Sequence, residues 1–140
     1  LLSINMFYYL HDYHIHFPGE WSGEWQYGYK EMVRFVAERE KEYNQIFVTN
    51  ARGRPYIFFA FYNAYPFDSF IKEKEASRDW FGFWEVKKLG KIRFTFDDLS
   101  YATGKVLLVT TPGNIPGGYR LIKSISNLEG NTVFLIMEKE

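Results

Sequence analysis

The sequence predicts one α/β domain with a mixed, mostly parallel sheet, flanking helices and a C-terminal antiparallel hairpin. Three patterns carry this prediction: an amphipathic helix followed by a short apolar strand, an apolar run over residues 105–111, and two apolar segments joined by NLEGN. Early alternation of helices and strands favours a parallel sheet, and a late hairpin adds antiparallel strands. We divide the chain into a connecting segment, residues 1–18, and a single domain, residues 19–140.

The first helix of the domain is indicated by apolar residues that recur at helical spacing. They form one stripe, Tyr29, Met32, Val33, Val36 and Ala37, and charged residues cover the opposite face. We expect this helix to run from about Trp25 to Tyr43. The segment QIFVTN follows, and its uninterrupted apolar run Ile46–Val48 predicts a short buried strand.

Pro55 is well placed as the first residue of the next element, because a helix does not need the N–H group of its first residue. The segment YIFFAFYNAY that follows reads as a buried helix or a second strand, and its length does not decide between them. Its position after a strand favours a helix. Asp68 is a plausible N-cap for a short charged helix over DSFIKEKEASRDW.

The second half of the chain is rich in strand patterns. FGFWEVKKLGKIRFTF predicts one or two strands, with a turn at Gly90 before a firmer strand, Ile92–Phe96. KVLLVTT is the strongest strand pattern, and Pro112-Gly113 closes it. YRLIKSIS and TVFLIMEK predict a β-hairpin in which Gly130 supplies the turn.

Composition narrows the functional classes. Lysine plus arginine is 17 and aspartate plus glutamate is 17, so the balanced charge argues against a nucleic-acid partner. The chain has no cysteine, which excludes thiol catalysis and disulfides. Aromatic residues make up 21%, which fits either an aromatic core, our preference, or an interfacial surface. Because the chain begins inside an apolar run, we expect it to be part of a longer protein.

All three histidines lie in YYLHDYHIHFP, next to Asp12. Histidine and carboxylate are the usual zinc and iron ligands. However, a helix would bring His11 and His14 to one face, and a strand would bring His14 and His16 together, so neither gathers all three. We therefore favour a polar-aromatic interfacial segment and expect neither a metal nor a cofactor.

The loop NARGRP follows the first strand, at the end of a sheet where ligands tend to bind. Asn50, Arg52, Gly53 and Arg54 are the candidate ligand-binding residues, since arginines and helix-start N–H groups bind anions such as phosphate. The simpler interpretation is an exposed turn with two solvated arginines. The chain has neither of the glycine-rich nucleotide motifs, GxxxxGK and GxGxxG.

The run YHIHFPGEWSGEWQYGYKEMVRFV resembles the segment after the last membrane span in protein O-mannosyltransferase-like membrane glycosyltransferases. The likeness continues through YNQIFVTNARGRPYIFFAFYNAYPFDSF and is most specific over residues 17–68. The turn at residues 65–68 departs from the family's residue order. The residues that match the family's motifs are Trp25, Tyr27, Gly28, Tyr29 and Pro55.

This resemblance implies a polytopic enzyme that transfers a hexose such as mannose from a polyprenyl-phosphate donor outside the cytoplasm. Residues 1–18 would follow the last span and meet the membrane surface. Residues 19–140 would be an extracytoplasmic domain that packs on the transmembrane part of the parent chain or helps to position the donor or acceptor. The family's catalytic aspartate lies in an early loop, so no residue of this chain inherits a catalytic role.

Two other functions stay open. The chain would be a free-standing small α/β module if its aromatic surface binds a protein or a glycan. It would be a small metal-dependent hydrolase if the three histidines form a catalytic site, which is the least favoured interpretation.

Overall fold

A seven-stranded sheet runs through the computed structural model, which describes residues 1–140. The five α-helices are α1 (Leu2–His11), α2 (Phe17–Glu20), α3 (Tyr29–Arg39), α4 (Pro55–Tyr62) and α5 (Phe67–Glu73). The strands are β1 (Gln45–Val48), β2 (Lys74–Arg78), β3 (Trp84–Leu89), β4 (Ile92–Arg93), β5 (Val106–Thr110), β6 (Arg120–Ser126) and β7 (Thr132–Lys139). A π-helical turn, Asp12–His16, joins α1 to α2.

The strand order is β2-β3-β4-β1-β5-β7-β6, which confirms the α/β class, the mixed sheet and the C-terminal hairpin. The expectation that most strands are parallel is wrong. Only β1 makes parallel pairs, with β4 and β5, and the other neighbouring pairs are antiparallel. Short connections explain three of the four antiparallel pairs, because β2 to β3 to β4 and β6 to β7 are hairpins, and a tight turn joins only antiparallel strands.

Both faces of the sheet are buried, which explains why β5 is apolar throughout. One face carries Ile46 and Val48 against α3 and α4, in a cluster that includes Tyr29, Met32 and Phe59. The other face carries a smaller cluster, in which Phe47, Val106, Leu108 and Met137 pack against side chains from the connecting loops. Alternate residues of β1 and β5 therefore contribute to two separate cores.

The helix α3 begins four residues later than the sequence predicts. Residues 21–28 form turns, and Gln26 (φ 56°) and Gly28 (φ 95°) both adopt left-handed backbone conformations, which end any helix pattern before Tyr29. At its other end α3 stops at Arg39 and a single 3-10 turn, Glu40–Glu42, follows. The predicted helix after Pro55 is confirmed as α4.

The charged segment after Pro66 differs more from its prediction. Asp68 lies inside the first turn of α5 and does not cap it, because the helix already begins at Phe67. The second half of the predicted helix is strand β2, whose polar residues pair with β3 through contacts such as the Lys88–Glu75 ion pair. The predicted strand Ile92–Phe96 shortens to β4, since the chain turns after Phe94.

Both edge strands of the sheet are irregular. The pairing of β2 with β3 shifts register between Glu75 and Ala76. The pairing of β6 with β7 shifts between Leu121 and Lys123 and again between Ile125 and Ser126. Such β-bulges bend and twist an edge strand locally.

Residues 2–20 form a helical segment that buries none of its side chains. Its aromatic rings stack on one another, with centroids of Tyr9 and Tyr13 at 5.9 Å, Tyr13 and Phe17 at 5.5 Å, and Phe17 and Trp21 at 6.1 Å. No helix of the structure combines the length and the hydrophobicity needed to cross a membrane.

Gly28 is expected to be one of the most sensitive positions in the fold. A Cβ atom there would lie 2.8 Å from Val133 Cγ2, and the backbone has a positive φ. Gly28→Ala should therefore lower the free energy of unfolding by about 3 kcal/mol, combining strain with a steric clash. Gly130 shares the positive φ but has open space around it, so Gly130→Ala should cost only about 1 kcal/mol. If Gly28→Ala and Gly130→Ala lowered the free energy of unfolding in urea by the same amount, this expectation would be wrong.

Glu138 is the other position with a specific consequence for stability. Its carboxylate is largely buried, accepts a hydrogen bond from Tyr43 Oη at 3.0 Å and pairs with Arg120 and, at 4.0 Å, with Lys105. The Tyr43 and Arg120 hydrogen bonds, with the positive charges nearby, hold the pKa of Glu138 below its ordinary value of 4.5.

A group with a lowered pKa stabilises the folded state above its unfolded pKa, and that stabilisation is lost as the pH falls through the folded pKa. Glu138→Gln should destabilise the domain at neutral pH, and the difference from the wild type should shrink below about pH 4.5. Glu140→Gln, at the exposed last residue, serves as the control. The measurement is the urea midpoint of each protein from neutral to acidic pH. A constant difference between Glu138→Gln and the wild type over that range would contradict the prediction.

Candidate functional site

The end of the sheet at which β1 finishes, here called the carboxyl edge, collects most of the polar loops. Because β5 is parallel to β1 and β7 is antiparallel to β5, the first residues of β7 lie at this edge. The start of β3 lies there as well, since β3 is antiparallel to β4 and β4 is parallel to β1. The carboxyl edge thus comprises residues 49–54, 79–85 and 127–133, together with the turns at 22–28 that contact them.

The loop at residues 49–54 makes a tight turn directly after β1. Ala51 N–H donates to Thr49 Oγ1 at 3.2 Å, and Gly53 N–H donates to the Asn50 carbonyl at 3.0 Å. Gly53 has φ 107°, and a Cβ atom there would lie 3.2 Å from Gln26 Nε2. Gly53 is therefore needed for the shape of the loop, and it brings the loop against the turns at residues 22–28.

Arg52 joins the loop to the turns before α3. Its Nη2 donates to the Gly23 carbonyl at 2.6 Å, and its guanidinium carbon lies 6.0 Å from the centre of the Phe134 ring. Tyr29 Oη donates to the Arg52 carbonyl at 3.1 Å. Arg52 Nε is buried without a hydrogen-bond partner, and no carboxylate pairs with this guanidinium.

Arg54 and Asn50 contact a different part of the edge. Arg54 Nη2 pairs with Asp79 Oδ2 at 2.9 Å, and its Nη1 donates to the Trp84 carbonyl at 3.0 Å. Asn50 Nδ2 donates to Glu85 Oε1 at 3.3 Å. The four candidate ligand-binding residues share one loop, but the structure assigns Arg52 to one group of neighbours and Arg54 and Asn50 to another.

A polar cavity of about 400 Å³ opens beside Arg52. Its wall combines the positive Arg52 with the negative Glu24 and several amide and hydroxyl groups. The lining residues are Gly23, Glu24, Gln26, Ala51, Arg52, Asn127, Asn131, Thr132 and Val133. Such a wall suits a ligand that carries both an anionic oxygen and hydroxyl groups, because arginine binds the former and carboxylate and amide oxygens accept from the latter.

Sequence reasoning missed Asn127 and Asn131, which it assigned only to the turn of the hairpin. Asn127 Oδ1 accepts the N–H groups of Glu129 and Asn131 at 3.1 and 2.9 Å, which orders the turn. Ser22 Oγ accepts the Leu128 N–H at 3.2 Å and so joins this turn to the turns before α3. Two asparagines in NLEGN were the available signal, but they indicate a turn as readily as a site.

The residues of the family motif divide into two groups. Trp25 and Tyr27 are exposed and line a groove of about 580 Å³ beside α3, with Tyr62 and several charged side chains on its other walls. Gly28 and Tyr29 are structural, since Gly28 packs against β7 and Tyr29 is buried. Pro55 is buried in the first turn of α4 and acts as the sequence predicts.

Tyr29 keeps its proton at neutral pH. Burial raises the pKa of its hydroxyl to about 12, and the positive charge of Arg52 offsets only part of that effect. The ring stacks on Phe58, with centroids 4.0 Å apart, and contacts Phe134 edge-on at 4.9 Å. Tyr29 is therefore a fixed hydrogen-bond donor that holds the Arg52 backbone.

The histidines lie in the exposed N-terminal segment and line neither the cavity beside Arg52 nor the groove beside α3. The rings of His11 and His16 approach to 5.3 Å between centroids, while His14 contacts Tyr13. No three histidine, aspartate or glutamate side chains of the structure come close enough together to hold a metal ion.

Comparison with known proteins finds no relative of this chain. No protein-family model, no curated protein and no solved structure matches the chain. Any statement about function therefore depends on the residues of the chain and on the resemblance described above.

Proposed function

We propose that this chain is the non-catalytic extracytoplasmic domain of a polytopic membrane glycosyltransferase that uses a polyprenyl-phosphate sugar. The motif resemblance over residues 17–68 supports the family. The observation that carries the proposal is the helical segment at residues 2–20, which presents apolar and aromatic side chains and buries none of them. A surface of that kind suits the boundary between a membrane and water.

The position of that segment supports a role near the lipid donor. Its last residues lead into the turns that Arg52 contacts through the Gly23 carbonyl. In the proposed function, the carboxyl edge and its polar cavity face the membrane. In the proposed function, Arg52 donates to an oxygen of the phosphate, Glu24 accepts from a sugar hydroxyl, and the Asn131 amide donates to or accepts from another. The reaction itself takes place on the membrane part of the parent chain.

A free-standing binding module is the second candidate, and the groove beside α3 favours it. Trp25, Tyr27 and Tyr62 provide aromatic surfaces, and charged side chains such as Arg34 and Glu38 line the same groove. Aromatic rings with polar neighbours are the usual components of small-ligand sites. In that case the domain would bind a glycan or a peptide without a membrane partner.

Fractionation of the source cells, probed with an antibody to residues 19–140, separates the two functions. The glycosyltransferase proposal expects a band far heavier than 16.7 kDa in the membrane fraction, and alkaline carbonate should not extract it. A soluble band near 16.7 kDa would contradict the proposal and favour the binding module.

The cavity is tested with a hexose 1-phosphate and the 140-residue chain in titration calorimetry. Arg52→Gln should weaken binding by about tenfold, because it removes a charge-assisted hydrogen bond. Arg52→Lys, which keeps the charge, should lose less. Arg54→Gln and Arg39→Gln should bind as the wild type does, since Arg54 is already paired and Arg39 lies at the other end of α3. If all variants bound hexose 1-phosphate equally, or if the wild type did not bind it, the cavity would be excluded as its binding site.

A further inference from the structure

The turn between β2 and β3 exposes four aromatic side chains, here called the aromatic tip. Trp80 is 94% exposed, Phe81 80%, Phe83 60% and Trp84 58%. Sequence reasoning had not selected this segment. Contiguous exposed rings are uncommon on soluble monomers and indicate a surface that binds something apolar.

The aromatic tip is an ordered structure. Asp79 Oδ1 accepts the N–H groups of Phe81 and Phe83 at 3.0 and 2.9 Å, while Asp79 Oδ2 pairs with Arg54. Arg78 Nη1 donates to the Gly82 carbonyl at 2.9 Å. Because the backbone of the turn is held by these bonds, it loses little conformational freedom on binding.

Arginines surround the base of the aromatic tip. The guanidinium carbon of Arg54 lies 5.5 Å from the centre of the Phe83 ring, and that of Arg78 lies 5.0 Å from the Trp84 ring. Arg54 is paired with Asp79, but no carboxylate pairs with Arg78. Arg78 therefore places a positive charge without an ion-pair partner at the base of the exposed rings, which complements a surface that is apolar inside and negatively charged outside.

The aromatic tip lies at the same edge as the turns that follow the exposed N-terminal segment. In β3, Lys88 lies opposite Arg93, the last residue of β4, and Trp84 comes four residues before Lys88. The start of β3 and the turn before it therefore extend past the end of β4. The loop at residues 49–54 connects the two surfaces, since Arg54 contacts the tip and Arg52 contacts Gly23. Trp21 and Trp25, which follow the segment, are also exposed.

We propose that the aromatic tip inserts into the interfacial region of a lipid bilayer that contains anionic lipids. A protein partner fits less well, because at about 200 Å² for each ring the exposed aromatic area is only about 600 Å². A stable protein interface buries about 800 Å² on each partner. The tip is also the exposed end of a hairpin, which a fluid bilayer accommodates and which a rigid surface would need a matching cleft to receive. This inference is independent of the glycosyltransferase proposal.

The test is co-sedimentation of the 140-residue chain with vesicles of phosphatidylcholine, with and without phosphatidylglycerol. The wild type should bind, and more tightly when phosphatidylglycerol is present. Trp80→Ser combined with Phe81→Ser should weaken binding by about tenfold or more, because two apolar side chains leave the bilayer. The control, Phe61→Ser combined with Tyr101→Ser, removes two equally exposed rings away from the tip and should bind within about twofold of the wild type.

A second measurement reports on the intact tip. In a variant with Trp21, Trp25 and Trp84 changed to Phe, brominated phosphatidylcholine should quench the fluorescence of Trp80 when vesicles bind. An absence of quenching, or a tip variant that binds as tightly as the wild type, would overturn the proposal. So would a wild type that binds no vesicles. A tip variant that loses only self-association, measured by analytical ultracentrifugation, would assign the tip to a second copy of the chain.

The vesicle measurement on the aromatic tip and the fractionation that tests the glycosyltransferase proposal can fail independently. A chain recovered as a soluble protein near 16.7 kDa would remove the glycosyltransferase and leave the vesicle measurement to stand on its own.

Discussion

The close packing of Gly28 on the C-terminal hairpin is the contact on which the remaining architecture depends. Without a side chain, Gly28 approaches Val133, Ile125 and Phe134 closely, and its positive φ directs the chain into α3. That entry places Tyr29 in the core, where its hydroxyl holds the Arg52 backbone. One residue therefore determines both how the main helix meets the sheet and where the loop after β1 lies. The contact of Arg52 with the turns before α3, and with it the cavity beside Arg52, depends on this placement.

The segments that sequence patterns predicted well are those with a clear apolar stripe or an apolar run that the fold buries. The stripe on α3, the apolar run of β5 and the two strands of the hairpin are examples, because tertiary packing and local pattern agree there. Strand β2 was missed because its Lys74–Arg78 segment is polar and its strand form depends on pairing with β3. The sequence also did not predict that Arg52 and Arg54 contact different parts of the structure. This difference results from Gly23 on one side and Asp79 on the other, which are distant in sequence.

Polar and aromatic groups occupy the same edge of the molecule for a topological reason. When a strand is buried on both faces, solvent-exposed loops can lie only at its two ends. Strand β1 at the centre of this sheet is such a strand. The cavity beside Arg52 and the aromatic tip are thus separate features that share one loop. The loop is held from both sides by hydrogen bonds, from Arg52 to the Gly23 carbonyl and from Arg54 to the Trp84 carbonyl.

The bulged edge strands have a consequence for how this protein meets other chains. An exposed strand with free N–H and C=O groups invites a further strand from another molecule, which leads to aggregation. Here β2 presents Lys74, Glu75 and Arg78 and breaks register once, while β6 presents Arg120 and Lys123 and breaks register twice. Charge and irregular backbone make both ends of the sheet poor templates for strand addition. Contacts of this domain with other chains are therefore expected to involve side chains and not the pairing of further strands.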